Sequence, residues 1–164
     1  TDTLLNGSVK IAEVTITADT AGDLKLGQLP ISVTSTGVAT ATTSADNIVV
    51  KDTAGNTIVT TNATFAVTAG GTGTANICFD TATAACASGN TSASAYLIPA
   101  GTSKTFRIYV TAATVSGAVN TTSFSTKLGV ATAGRWYDIA GNNTTAIPFT
   151  AVANYPTDTS VITN

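Results

Sequence analysis

Apolar and polar residues alternate along most of this chain with a period of two, the repeat of strands half buried in a sheet. In "TFRIYV", Phe106, Ile108 and Val110 fall on one face, and Thr105, Arg107 and Tyr109 on the other. "AEVTITAD" sets Ala12, Val14, Ile16 and Ala18 against Glu13, Thr15 and Thr17, and "LPISVTST" repeats the pattern through Leu29, Ile31 and Val33. Further strands are expected in "NIVVK", "NTIVTT", "TFAVT", "ANICF", "SAYLIP", "TSFSTKLGV" and "AIPFTAVAN". They are filled by Thr, Val and Ile, whose branched Cβ suits a pleated surface. No extended window carries the spacing of an amphipathic helix. The pattern predicts an all-β chain, a single Greek-key β-sandwich of about 8–10 strands. Residues 1–8 read as an N-terminal tail and 9–164 as the sandwich, with Gly-rich "TAGGTGTAN" and Ser/Ala-rich "ASGNTSASA" as loops.

Composition sharpens this picture. A length of 164 residues suits one domain with a real core. Hydrophobic residues make up 43%, but aromatics only 6% and charges only 10%, where ordinary domains carry about 25% charged residues. Such a chain packs small side chains inside and wets its surface with hydroxyls. Seven scattered bases and a net charge of −2 leave no stripe for nucleic acid, and no apolar run is long enough to span a bilayer. There is no His, which removes the commonest general base and metal ligand. Two cysteines are too few for a zinc site, and a serine triad would lack its base. The expectation is a non-enzyme without cofactor. Carboxylate pairing among Glu13, Asp46, Asp80 and Asp138 is the one catalytic alternative the composition leaves.

Cys78 and Cys86 lie close together across a polar, turn-like stretch, in neither a redox nor a metal spacing. Paired, they would close a short loop and place the chain in an oxidising compartment. Two unrelated buried thiols are the alternative. An exported chain beginning at Thr1 would have shed its leader.

One short motif recurs, as Asp19-Thr-Ala-Gly-Asp23, Asp52-Thr-Ala-Gly-Asn56 and Asp138-Ile-Ala-Gly-Asn142. In "VVKDTAGNTIV", Thr53-Ala54 suits a type I turn, and Gly55 supplies the positive φ that closes a bulged hairpin. The Asp52 carboxylate accepts the turn's own amide protons. The same reading extends to Asp19 with Gly22 and to Asp138 with Gly141. Calcium is the competing use, but its loops gather six or more oxygens; only the Asp19/Asp23 pair comes near that.

"NGSVKIAEVTITADTAGDLKLGQLPISVTSTG", "NIVVKDTAGNTIV" and "IPAGTSKTFRIYVTA", in that order, resemble the Ig-like sandwich domains of large bacterial and archaeal cell-surface, S-layer and pilus-type fibre proteins. The resemblance covers most of residues 6–130 and lies in turns and strands more than in identities. It implies an extracellular, structural module. Proteins of that type string many such domains together, so a lone domain would gain valency by assembling with identical copies. Strand donation into a neighbour's exposed edge and apolar groove is one way. The N-terminal tail offers Leu4, Leu5 and Val9 as the donated strand. The C-terminal segment offers Ile147, Phe149, Val152, Tyr155, Val161 and Ile162. The opposite expectation is that both ends pair within their own sheets.

Two looser signals remain. Asn6, Asn62, Asn90, Asn120, Asn142 and Asn143 each head an N-x-[ST] triplet, a glycan acceptor only in an exported chain. Trp136-Tyr137, beside Arg135 and with Tyr109 as a further member, would suit an aromatic platform for surface glycans, the mark of a carbohydrate-binding or adhesin module. A core Trp is the plainer reading. A viral coat or S-layer protein is a third possibility, distinguished by closed shells or sheets.

Overall fold

The computed structural model describes residues 7–37, 39–40, 48–61, 67, 70–79, 95–113, 123–129, 133–138, 147–148 and 159–163. Among these the strands are β1 (Gly7–Thr17), β2 (Leu24–Thr36), β3 (Ala39–Thr40), β4 (Ile48–Lys51), β5 (Thr57–Thr61), β6 (Thr72–Cys78), β7 (Tyr96–Ile98), β8 (Ser103–Ala113), β9 (Ser123–Leu128), β10 (Arg135–Asp138), β11 (Ile147–Pro148) and β12 (Thr159–Thr163). Every pairing is antiparallel. A five-stranded sheet runs β1-β8-β4-β5, with β3 also on β8. A seven-stranded sheet runs β11-β10-β2-β9-β12, with β6 and β7 on the other side of β2. The chain is thus an all-β sandwich. It crosses between sheets at β1–β2, β2–β3, β5–β6, β7–β8 and β8–β9. Among the described residues no helix is long and apolar enough to cross a membrane.

One core lies between the sheets, built from the inward positions that the alternation marks. Val9, Ile11, Ile48, Val50, Phe106, Ile108 and Val110 come from the five-stranded side. Leu26, Leu29, Ile31, Val33, Ile77, Ile98 and Phe124 come from the seven-stranded side. The aromatic share of this core is small and concentrated. Phe106 meets Phe79 and Tyr96 edge-on, with centroids 5.1 and 5.3 Å apart.

Strand β2 is the hub. Leu24–Leu26 pairs with β7 and β10, and Gln28–Thr36 with β6 and β9. Arg135 faces Gln28 while Trp136 faces Leu26, so Gly27 is an extra residue that resets the side-chain phase. That bulge lets Leu26 and Leu29, three positions apart, both enter the core. On the reverse face, Gln28, Pro30 and Ser32 are nevertheless buried. Tyr137 is wholly buried without joining the main core. The seven-stranded sheet is therefore withdrawn from solvent on both faces around Gly27–Ser32 of β2, while Thr34 and Thr36 further along it are exposed.

The structure corrects several expectations. "TAGGTGTAN" is a strand from Thr72 onward, not a loop. Its small inward residues Gly73 and Ala75 sit opposite Val33 and Ile31, whose bulk fills the space glycine leaves. "RWYD", absent from the expected strands, is strand β10. Val9 is buried 8% exposed in its own sheet, opposite Val110, and is not part of a detached assembly strand. The tail ends at Gly7, whose φ of 121° breaks the strand conformation where β1 begins. At the other end, β12 pairs along β9, with Ile162 opposite Phe124. Leu4 and Leu5 lie outside the described residues, as do Phe149, Val152 and Tyr155.

Candidate functional site

Two features of the five-stranded sheet stand out, and both come from the pairing of β1 with β8. The first is an edge. Among the described residues β1 is an end strand of its sheet, with β8 on one side only. Its inward Ala12 and Val14 are only partly buried, whereas their β8 partners Ile108 and Phe106 are fully buried, and the partly buried Ile16 stands opposite the exposed Lys104. Ile11 is an inserted residue there, since Lys10 faces Tyr109 and Ala12 faces Ile108. A bulge and flanking charges are the usual devices that restrain a sheet edge.

The second is the outward face of the same sheet. Thr15 and Thr105 share a hydroxyl hydrogen bond of 2.8 Å, and Thr17 and Ser103 one of 2.7 Å. Beside them, Arg107 Nε donates to Glu13 Oε2 at 2.9 Å, and its Nη1 donates to the Thr53 carbonyl at 3.0 Å. Lys10 stands 3.8 Å from the same carboxylate. Lys51 Nζ lies 5.1 Å from the centroid of the Tyr109 ring. Glu13 is therefore held between two cations and is no free general acid; Asp46 and Asp80 lie outside the described residues.

The three D-x-A-G motifs take different positions. Asp52 makes the hairpin between β4 and β5. Its amide donates to the Asn56 carbonyl at 2.9 Å, Gly55 N donates to the Asp52 carbonyl at 3.2 Å, and Gly55 has φ 93°. The Asn56 side-chain and backbone N–H groups each donate to the Asp52 carboxylate at 2.8 Å. The Asn56 side-chain amide, followed by its backbone N–H, holds the Asp52 carboxyl below its ordinary value of 3.8. A lowered folded pKa stabilises above the unfolded value and loses that contribution as pH falls through the folded one. The expected result is that Asp52→Asn weakens the protein at neutral pH. The difference from wild type should shrink below about pH 3.8, read by urea denaturation across pH.

Asp19 and Gly22 do form a turn, with Gly22 N donating to the Asp19 carbonyl at 3.4 Å, but its placement and its glycine differ from expectation. The loop carries the chain between sheets rather than around a hairpin, and Gly22 does not take positive φ. Instead Asp19 Oδ1 accepts from Ala21 N at 2.8 Å, Asp23 Oδ1 accepts from Ala100 N at 2.8 Å, and the Asp19 carbonyl accepts from Gly101 N at 3.1 Å. These bonds staple the β1–β2 loop to the β7–β8 turn, where Gly101 has φ 69°. The carboxylates are engaged with backbone, and among the described residues no group of three or more His, Cys, Asp or Glu is placed to hold a metal. Asp138 ends β10, and Gly141 lies outside the described residues.

The Trp136-Tyr137 platform is overturned. As neighbours on β10 the two rings point to opposite faces of the sheet. Tyr137 is fully buried, and Trp136 packs against the core with its indole N–H hidden from solvent. Tyr137 therefore offers no open face, and Trp136 is only partly exposed. Cys78 is buried and is not a free thiol, while Cys86 lies outside the described residues. So do all six sequon asparagines: Asn6, Asn62, Asn90, Asn120, Asn142 and Asn143.

The chain matches no known family, no curated protein and no solved structure.

Proposed function

We propose that this chain is a structural subunit of an extracellular filament, joined to identical copies by β-strand donation. The observation that carries the reading is the β1 edge. A strand whose outer ladder edge pairs with no other described strand, beside half-buried Val14 and Ile16, is what an added strand covers, since it supplies backbone partners and apolar side chains together. The donor in this reading is residues 1–6 with Leu4 and Leu5, leaving the body at Gly7. Such a head-to-tail contact does not close on itself and propagates as a fibre.

The rest of the proposal follows from the setting. The absence of His leaves the chain a structural rather than a catalytic vocabulary. A Cys78–Cys86 disulfide fits a chain whose two cysteines are its only thiols and whose Cys78 is not free. It places the protein outside the reducing cytosol, where the sequons can carry glycan. An Ig-like membership belongs to the same proposal.

The test is electron microscopy of the concentrated protein beside a chain lacking residues 1–6. Thin fibres from the intact chain are expected, with folded monomers from the truncated one. Monomers from both would end the filament reading. Fibres from both would end the donor assignment alone, and closed shells would make the protein a coat subunit.

A further inference from the structure

We infer that the centre of the outward face of the five-stranded sheet binds an acidic polysaccharide, with Lys51 and Arg107 as its principal anion contacts. The inference is independent of the filament reading, because this face lies across the sheet from the core and its two principal contacts stand on β4 and β8 rather than on the edge strand.

The argument begins with where charge is placed. Strand register puts Lys10 opposite Tyr109, Glu13 opposite Arg107, and Lys51 opposite Arg107 on the other side. Three of the chain's seven bases and one of its nine acids thus share one small area of an otherwise acidic protein. The single acid is already met by two cations, Arg107 and Lys10. The guanidinium is fixed at both ends of its fork, by Glu13 and by the Thr53 carbonyl, so its orientation is set before any ligand arrives. Lys51 is held over the Tyr109 ring, and among the described residues no carboxylate forms an ion pair with it. Lys10 and Arg107 keep 36% and 33% of their side chains exposed.

The shape selects the ligand. The patch is the flat outside of a pleated sheet, continuing into paired hydroxyls at Thr15–Thr105 and Thr17–Ser103. A flat face with spaced cations suits an extended chain that repeats carboxylates and offers hydroxyls between them. The acidic turns of a second copy are poorer occupants. The Asp19, Asp23 and Asp52 carboxylates already accept backbone N–H groups of their own molecule.

Retention on immobilised polygalacturonate at low salt tests the assignment, with neutral dextran and duplex DNA as comparison matrices. Wild type should be retained by polygalacturonate, released by salt, and pass through dextran. Lys51→Glu should weaken retention roughly tenfold, as expected when focused surface charge drives association. Lys127→Glu carries the same charge change on the exposed face of the other sheet, and should leave retention within about twofold. Circular dichroism confirms that both variants fold. Equal losses from both variants would reduce the effect to net charge and overturn the site. No wild-type retention, or equal retention on DNA, would overturn the ligand. Salt-sensitive self-association abolished by Lys51→Glu without polysaccharide would assign the face to a second copy instead.

Discussion

Phe106→Ala should cost about 3–5 kcal/mol of folding stability, a large share of the roughly 5–15 kcal/mol that holds a domain folded. The ring is fully buried at the middle of β8, and it is the shared member of the Phe79–Tyr96–Phe106 cluster. Truncation removes its transfer energy and two edge-on contacts, each worth about 0.5–1.5 kcal/mol. The gap would also refill poorly. Its neighbours across the strands are Val14 on β1 and the branched Ile108 and Val110 along β8, side chains stiff at χ1. Aromatics are only 6% of this chain, so few other side chains are large enough to reach into the void. Urea denaturation measures the loss directly, with Ile108→Val, expected at about 0.5–1.5 kcal/mol, as the scale on the same strand. A Phe106→Ala loss no larger than that of Ile108→Val would show that the aromatic cluster is not where the core is anchored.

What the sequence made legible follows the range of each interaction. The inward set of β8, Phe106, Ile108 and Val110, is readable because alternation is a property of the strand itself. The hairpin at Asp52 is readable for a similar reason, since the bonds that close it fall between Asp52 and Asn56. At Asp19 the local turn bonds to Ala21 and Gly22 were equally readable, but those from Ala100 to Asp23 and from Gly101 to Asp19, which arrive from a distant turn, were not. The start of β6, Thr72–Thr74, looked like a loop because glycine and threonine have no apolar period of their own, whereas the strand at "ANICF" was readable. That start is strand because β2 offers a complete ladder from Gln28 to Thr34. The Gly27 bulge hid Leu26 from a strict two-residue count, and the burial of Tyr137 depends on a sheet covered from both sides. The basic face was invisible for the plainest reason: Glu13 and Arg107 are 94 positions apart. Scattered charges become a patch only once β1, β4 and β8 are laid side by side.

Deleting Ile11 should have two effects of opposite kind, and together they examine how the β1 edge is kept in order. Without it, Lys10 still faces Tyr109 and Ala12 still faces Ile108, so the ladder closes without a bulge and no face is inverted. The core, however, loses a side chain that is fully buried, at a cost of about 2–5 kcal/mol for an isoleucine removed to a cavity. Ile11→Ala should cost a similar amount while keeping the inserted residue. The two variants then differ in the edge alone. A straight β1 presents an unbroken row of N–H and C=O groups, the template on which strands of other chains add without control. The deletion variant should therefore form irregular aggregates at concentrations where Ile11→Ala stays dispersed, as light scattering would record. Equal dispersion of the two would mean that Lys10 and Glu13 guard this edge without help from the bulge. Restored order on replacing Thr15 with Lys in the deletion variant would locate the failure on β1 itself.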